Sequence, residues 1–121
     1  MNSLAKTIPE WLEVCHLDDL VLGSGVAVLV KGKAVAIFAI GSNDFKLYAI
    51  SHKDPFSNAD VLAHGIVCEG NGVWTVASPI YKQHFRLDTG ECLEDPTVKV
   101  STWPIRLRGN LVEINTSDEV S

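Results

Sequence analysis

The chain lacks the motifs by which most soluble enzymes hold their chemistry. No GxGxxG or GxxxxGKS/T phosphate cradle, no GxSxG nucleophile elbow and no HExxH helix occurs in its 121 residues, so the reactions that these motifs position have no local signature here. Gly23-Ser24-Gly25 is a lone GxG that precedes a strand; a phosphate site needs glycines that open a helix, and this one reads as a turn. Long apolar runs are missing too. The longest, Ala34 to Ile40, has seven residues, against about twenty for a spanning helix. The first fifteen residues do not show the basic-then-apolar order of an export signal, which predicts a cytoplasmic protein with no membrane contact. Three cysteines, Cys15, Cys68 and Cys92, form no CxxC and read as thiols of a reducing compartment. Ten basic against fifteen acidic residues give a net charge of -5 without a basic stripe, so nucleic acid is not an expected partner.

Helical periodicity is also missing, and what takes its place is β-like. Short runs of Val, Ile and aromatic residues recur between Gly, Asn, Asp and Pro clusters, a pattern of half-buried strands. Nine strands are expected: Trp11 to Val14, Gly25 to Val30, Ala34 to Ile40, Leu47 to Ile50, Ile66 to Val67, Val73 to Ala77, Phe85 to Leu87, Trp103 to Leu107 and Leu111 to Ile114. Lys31-Gly32-Lys33, Asp88-Thr89-Gly90 and Arg108-Gly109-Asn110-Leu111 place Gly or Asn where tight hairpins need positive φ. Pro104 favours an edge for its strand. Ser57 to Leu62 is the one helical candidate, with Ser57 or Asn58 as cap. The polar tails, Met1 to Thr7 and Thr116 to Ser121, are expected to fray. Length and composition predict one all-β domain, 1-121, a sandwich or barrel with an ordered core from about 8 to 115.

Ligands and acid–base pairs are sparse. His64 and Cys68 are four apart with Gly65 between them on an extended segment, Cys15 and His16 point to opposite sides of a strand, and Cys92 stands alone; none has paired zinc-site spacing. Asp18-Asp19, Glu94-Asp95 and Asp118-Glu119 are adjacent carboxylates of the kind that solvated turns carry. Histidine is the side chain suited to acid–base work near neutral pH, but a loop histidine such as His52 or His84 is more often a hydrogen-bonding residue than a base. No catalytic residue follows from residue chemistry.

Two segments carry more. Tyr48-Ala49-Ile50-Ser51-His52-Lys53-Asp54-Pro55-Phe56 and Val76-Ala77-Ser78-Pro79-Ile80-Tyr81-Lys82-Gln83-His84-Phe85-Arg86-Leu87-Asp88-Thr89-Gly90 resemble the two cluster-binding loops of Rieske iron–sulfur domains, in which each loop supplies a Cys and a His. Here the ligand positions hold Asp54 and Phe56 in the first loop and Ser78 and Tyr81 in the second. A Rieske [2Fe–2S] centre needs two thiolates and two imidazoles; Phe cannot ligate iron, and hydroxyl or phenol replaces soft donors poorly. No cluster, metal or other cofactor is expected on this chain. Together with Thr89-Gly-Glu-Cys-Leu-Glu-Asp-Pro96, the loops are similar to those in the small subunits of NAD(P)H-dependent assimilatory nitrite reductases, a likeness that runs from about Trp11 to Ile114.

That resemblance implies a Rieske-like antiparallel β fold with a small loop lobe at roughly 51-85. It further implies a cytoplasmic complex that reduces nitrite to ammonia, with FAD, sirohaem and an iron–sulfur cluster on a large-subunit partner. The candidate interface is Phe56, Ile80, Tyr81, Lys82, Gln83 and His84, since an apolar cluster with a polar rim suits an interface core, although Phe56 and Tyr81 also have the size to plug their own lobe. Two other readings stay open: a Rieske-type [2Fe–2S] electron carrier, and a stand-alone Rieske-like interaction domain.

Overall fold

The computed structural model describes residues 10–41 and 46–116. Its centre is a single strand. β3 (Lys33–Ile40) lies between β2 (Gly25–Val30) and β4 (Lys46–Ser51) in an antiparallel sheet whose far edge is β10 (Thr102–Trp103), in the order β10-β4-β3-β2. From Val35 to Ile40 no residue of β3 is more than 4% exposed. Successive side chains leave opposite faces of a strand, so both faces of β3 are covered. Ala36, Phe38 and Ile40 enter one core with Ile50, Leu62, Val76, Phe85 and Leu87. Val35 and Ile37 enter a second core with Ala49, Trp103, Val112 and Ile114. The unbroken apolar run in the sequence is the mark of a strand buried on both sides.

The second core is closed by the sheet β1-β12-β11, built from β1 (Trp11–His16), β11 (Ile105–Arg108) and β12 (Leu111–Asn115). On its other face Glu113, 4% exposed, takes Nε of Arg106 and of Arg108 on its two oxygens at 2.8 Å each. The Arg106 guanidinium also lies 4.0 Å above the Trp11 ring, a cation–π contact. Arg108 first and Arg106 second hold the Glu113 carboxyl below its ordinary value. The first core is closed by β7 (Ile66–Gly70), β8 (Val73–Ala77) and β9 (His84–Arg86), while β5 (Lys53–Asp54) and β6 (Ala59–Asp60) form a two-residue ribbon.

Hairpin chemistry accounts for the connections. Lys31 and Gly32 both have positive φ, 51° and 81°, between β2 and β3, which is the demand of a type I′ turn. Asn71 and Gly72, at 54° and 79°, close β7 onto β8 in the same way.

Three expectations change. The strand expected at Trp103 to Leu107 is two strands in two sheets: Thr102 and Trp103 pair with Ile50 and Ala49, whereas Ile105 to Arg108 pair with β12. Pro104 has no amide to give either ladder, and its carbonyl accepts the Asn115 amide at 2.9 Å, so the chain crosses between sheets there and both pieces are edge strands, as proline requires. The expected helix at Ser57 to Leu62 does not form. Asn58 is left-handed at φ 64°, the Ser57 hydroxyl takes the Ala59 amide at 3.3 Å, Ala59 and Asp60 pair with β5, and only Leu62–His64 makes a single 3-10 turn; local side-chain bonds outcompete the helix. Thr116, expected at a frayed end, is 5% exposed and its amide donates to the Glu10 carbonyl at 2.9 Å. The rest of both tails lies outside the described residues.

Two glycines that look alike in sequence face different demands. Gly109 (φ 65°) has open space where a Cβ would go, whereas a Cβ on Gly90 (φ 82°) would fall on the Val100 carbonyl oxygen. Gly109→Ala is expected to cost about 1 kcal/mol through backbone strain alone, and Gly90→Ala about 3 kcal/mol or more because strain and overlap add. Urea unfolding midpoints measure both, and equal losses would remove the role given to crowding at Gly90.

Candidate functional site

The two segments singled out in the sequence fold into loops of nearly the same shape. Loop one, Asp54 to Asn58, leaves β5; loop two, Ser78 to Lys82, leaves β8. In each, a side-chain oxygen of the first residue accepts the amide two residues on: Phe56 to Asp54 Oδ1 at 2.9 Å, Ile80 to Ser78 Oγ at 3.3 Å. The first carbonyl of each accepts the amide four residues on, Asn58 to Asp54 at 2.7 Å and Lys82 to Ser78 at 3.0 Å. Both loops close on a left-handed residue, Asn58 at φ 64° and Lys82 at φ 67°. Short polar side chains followed by proline favour this geometry, because Asp and Ser accept nearby amides while proline presets φ.

The loops meet through their first residues. Ser78 Oγ donates to Asp54 Oδ2 at 2.5 Å, and both residues are 0% exposed. At this length the O–H···O bond belongs to the strong class. With Phe56 N–H on the other oxygen, the Asp54 carboxyl is engaged on both sides. Phe56 leans on the fully buried Phe85, ring centroids 6.2 Å apart, and stays 37% exposed; Ile80 and Tyr81 stand out at 42% and 58%.

The remaining candidates line the root of loop two. Lys82 Nζ turns back to the Pro79 carbonyl at 3.3 Å, and Gln83 accepts the Ser78 amide on its backbone oxygen at 2.9 Å. His84 places Nδ1 2.7 Å from Glu94 Oε2 and gives its amide to Glu94 Oε1 at 2.8 Å. The structure therefore joins Phe56 and Ile80 to the Asp54–Ser78 pair through their amides, leaves Tyr81 exposed next to Ile80 on loop two, and ties His84 to Glu94 at the loop's return. The bond itself has no signature in the sequence beyond the matched Asp-Pro and Ser-Pro steps. A concavity of about 390 Å³ lies elsewhere, lined by Leu47, Tyr48, Leu87, Asp88 and Trp103 among others. Its one carboxylate, Asp88, is occupied by Arg86 at 2.9 and 2.8 Å.

Below the loops His52 is 5% exposed, and its Nδ1 accepts the Ala63 amide at 3.0 Å. Its ring meets His64 edge to face at 5.4 Å. Burial, and then the neighbouring His64, hold the His52 imidazole below its ordinary value, with Asp60 opposing. A protonated Nδ1 would lose the Ala63 bond, so His52 serves here as an acceptor and not as a base.

A family model described as a Rieske-like [2Fe-2S] domain matches residues 10–115. A NADH nitrite reductase small subunit from Salmonella typhimurium is 40% identical over 105 residues, covering 87% of this chain and 96% of the relative. The chain belongs to the Rieske-like family and, within it, to the nitrite reductase small subunits. The solution structure of the Erwinia carotovora nitrite reductase small subunit superposes on it with a TM-score of 0.75 at 44% identity, covering 91% of this chain and 84% of the other. A nitrite reductase large subunit from Klebsiella oxytoca is 29% identical over 102 residues, which is 84% of this chain but 10% of the relative.

The Rieske-like family name implies a [2Fe–2S] cluster, and the residues of this small subunit do not fit one. Of the residues that the likeness to cluster-bearing loops singles out, Asp54 offers a carboxyl already bonded to Ser78 and Phe56, Phe56 a phenyl ring, Ser78 a hydroxyl and Tyr81 an exposed phenol. Among the described residues no three His, Cys, Asp or Glu side chains are grouped to hold a metal.

His52 gives a pH test. Its folded value lies below that of the unfolded chain, so the unfolded state takes up the proton first and stability is lost as pH falls from about 6.5 toward the folded value. The melting temperature is expected to drop between pH 7.5 and 5.5. His52→Asn, which keeps an acceptor near the Nδ1 position but takes no proton, should flatten that slope; an unchanged slope would assign it to other groups.

Proposed function

We propose that this chain is the cluster-free small subunit of a cytoplasmic NAD(P)H nitrite reductase, which reduces nitrite to ammonia in nitrate assimilation, and that it acts by contact with the large subunit. The observation that carries this reading is the pair of loops itself. In this reading the family's two loops are kept, while the positions where cluster-bearing members place ligands hold a buried hydrogen-bonded pair, Asp54 and Ser78, a phenyl ring resting on Phe85 and an exposed phenol. Electron transfer through a cluster needs donors that these residues do not supply. In this reading FAD, sirohaem and an iron–sulfur cluster belong to the large subunit. The Klebsiella relative supports the pairing, since a chain named as a large subunit carries a stretch similar to this one within its own length. It also makes a stand-alone interaction domain the weaker reading.

The docking surface in this proposal is the loop tip: Phe56, Ile80 and Tyr81 as the apolar centre, with Lys82, Gln83 and His84 around them. Partly exposed aromatics with a polar rim are the usual make-up of an interface hot spot. No helix among the described residues is long and apolar enough to cross a membrane.

Nitrite-dependent NAD(P)H oxidation by the large subunit, assayed with and without this chain, tests the role. Addition should raise activity or extend its lifetime. Tyr81→Ala is expected to weaken retention of the large subunit about thirtyfold, near 2 kcal/mol, with little change in melting temperature. Leu29→Ala, at a side chain 75% exposed on β2, serves as the control and should retain the partner. Unchanged retention by Tyr81→Ala would take the tip out of the interface.

A further inference from the structure

We propose that Asp54 and Ser78 are interchangeable halves of a clasp that closes the two loops on each other and thereby sets where Phe56 and Ile80 stand. The inference deepens the docking reading and rests on it for the partner. Three observations carry it.

First, the loops are equivalent position by position. Each first residue is followed by proline, accepts on its side chain the amide two residues on, and accepts on its carbonyl the amide four residues on, where the backbone turns left-handed. Second, the two first residues, 24 apart in sequence, bond directly, and both are fully buried. Third, the amides they hold belong to Phe56 and Ile80, which are themselves partly exposed at 37% and 42%. A shift in either clasp oxygen moves one of these residues directly. Asp54 and Ser78 are thus positioning residues.

The pair is complementary, not merely polar. A carboxyl can accept the hydroxyl proton on one oxygen and a backbone amide on the other. Two hydroxyls leave one buried oxygen with weaker partners, and two carboxyls place like groups together. Because each site already accepts an amide in the same geometry, the acid and the hydroxyl can change places.

The test is that exchange. Asp54→Ser alone and Ser78→Asp alone are each expected to lower retention of the large subunit at least about tenfold, the effect of losing one buried charge-assisted bond, and to speed hydrogen exchange at the Phe56 and Ile80 amides. The double variant Asp54→Ser/Ser78→Asp should bring retention back to within about threefold of the unsubstituted chain and slow both amides again, since only a direct interaction makes two losses cancel. A double variant as impaired as the worse single one overturns the proposal. Should the single variants not fold, Asp54→Asn decides: its one oxygen can keep the Phe56 amide while its NH2 donates to Ser78 Oγ, so the link between the loops survives with its direction reversed; it should retain the partner better than Asp54→Ala, and equal losses overturn the clasp. If the unsubstituted chain itself does not retain the large subunit, the docking reading fails, while amide exchange in the singles and the swap still decides the clasp.

Discussion

Everything in this molecule is arranged around a strand with no polar side. Because β3 is covered on both faces, one set of alternating residues must be matched by Trp103, Val112 and Ile114 and the other by Leu62, Val76 and Phe85. The first match builds a rigid base from two sheets. The second brings β8 and β9 against the same strand and so fixes the roots of loop two. Loop one is fixed through His52, which follows β4 directly and receives the amides of Val61 and Leu62 on its carbonyl and of Ala63 on its ring, at 2.9, 2.9 and 3.0 Å. Loop two is therefore held by packing and loop one by the hydrogen bonds of His52, and the Asp54–Ser78 bond joins the two where they begin.

This division explains how a scaffold related to iron–sulfur domains stands without soft ligands. A cluster ties loops together by coordination. Here a buried carboxyl and a hydroxyl make the connection, each also accepting an amide of its own loop. Burial excludes competing water and strengthens such bonds, while leaving no buried oxygen of the pair without a donor. The two aromatic side chains of the loops differ in placement. Phe56 rests on Phe85, and Tyr81 stands in solvent.

Much of the fold was legible in the sequence, for reasons that can be named. The strand run Ala34 to Ile40 and the Lys31-Gly32 turn are local signals with one physical solution, and the family likeness of the loops fixed their placement. Asn71-Gly72 is an equally strong turn signal, which strand spacing alone passes over. What was not legible depends on distant partners. The switch of sheets at Pro104 is decided by Asn115 and Ala49, not by the run Trp103 to Leu107. The helix at Ser57 to Leu62 loses to a pairing with Lys53 and Asp54. For the site, the sequence singled out Asp54, Phe56, Ser78 and Tyr81 one by one, but the Asp54–Ser78 bond joins residues that no periodicity connects.

The crossing at Pro104 has a mechanical consequence. Two consecutive edge strands, one in each sheet, share a single peptide stretch with almost no slack, and Ser101 upstream already bonds Ser51 through its carbonyl at 2.9 Å. Peeling one sheet open pulls on the other, so partial opening gains little chain freedom until both give way. The base should melt in one cooperative step, with hydrogen exchange in β4 and β12 limited by the same global event.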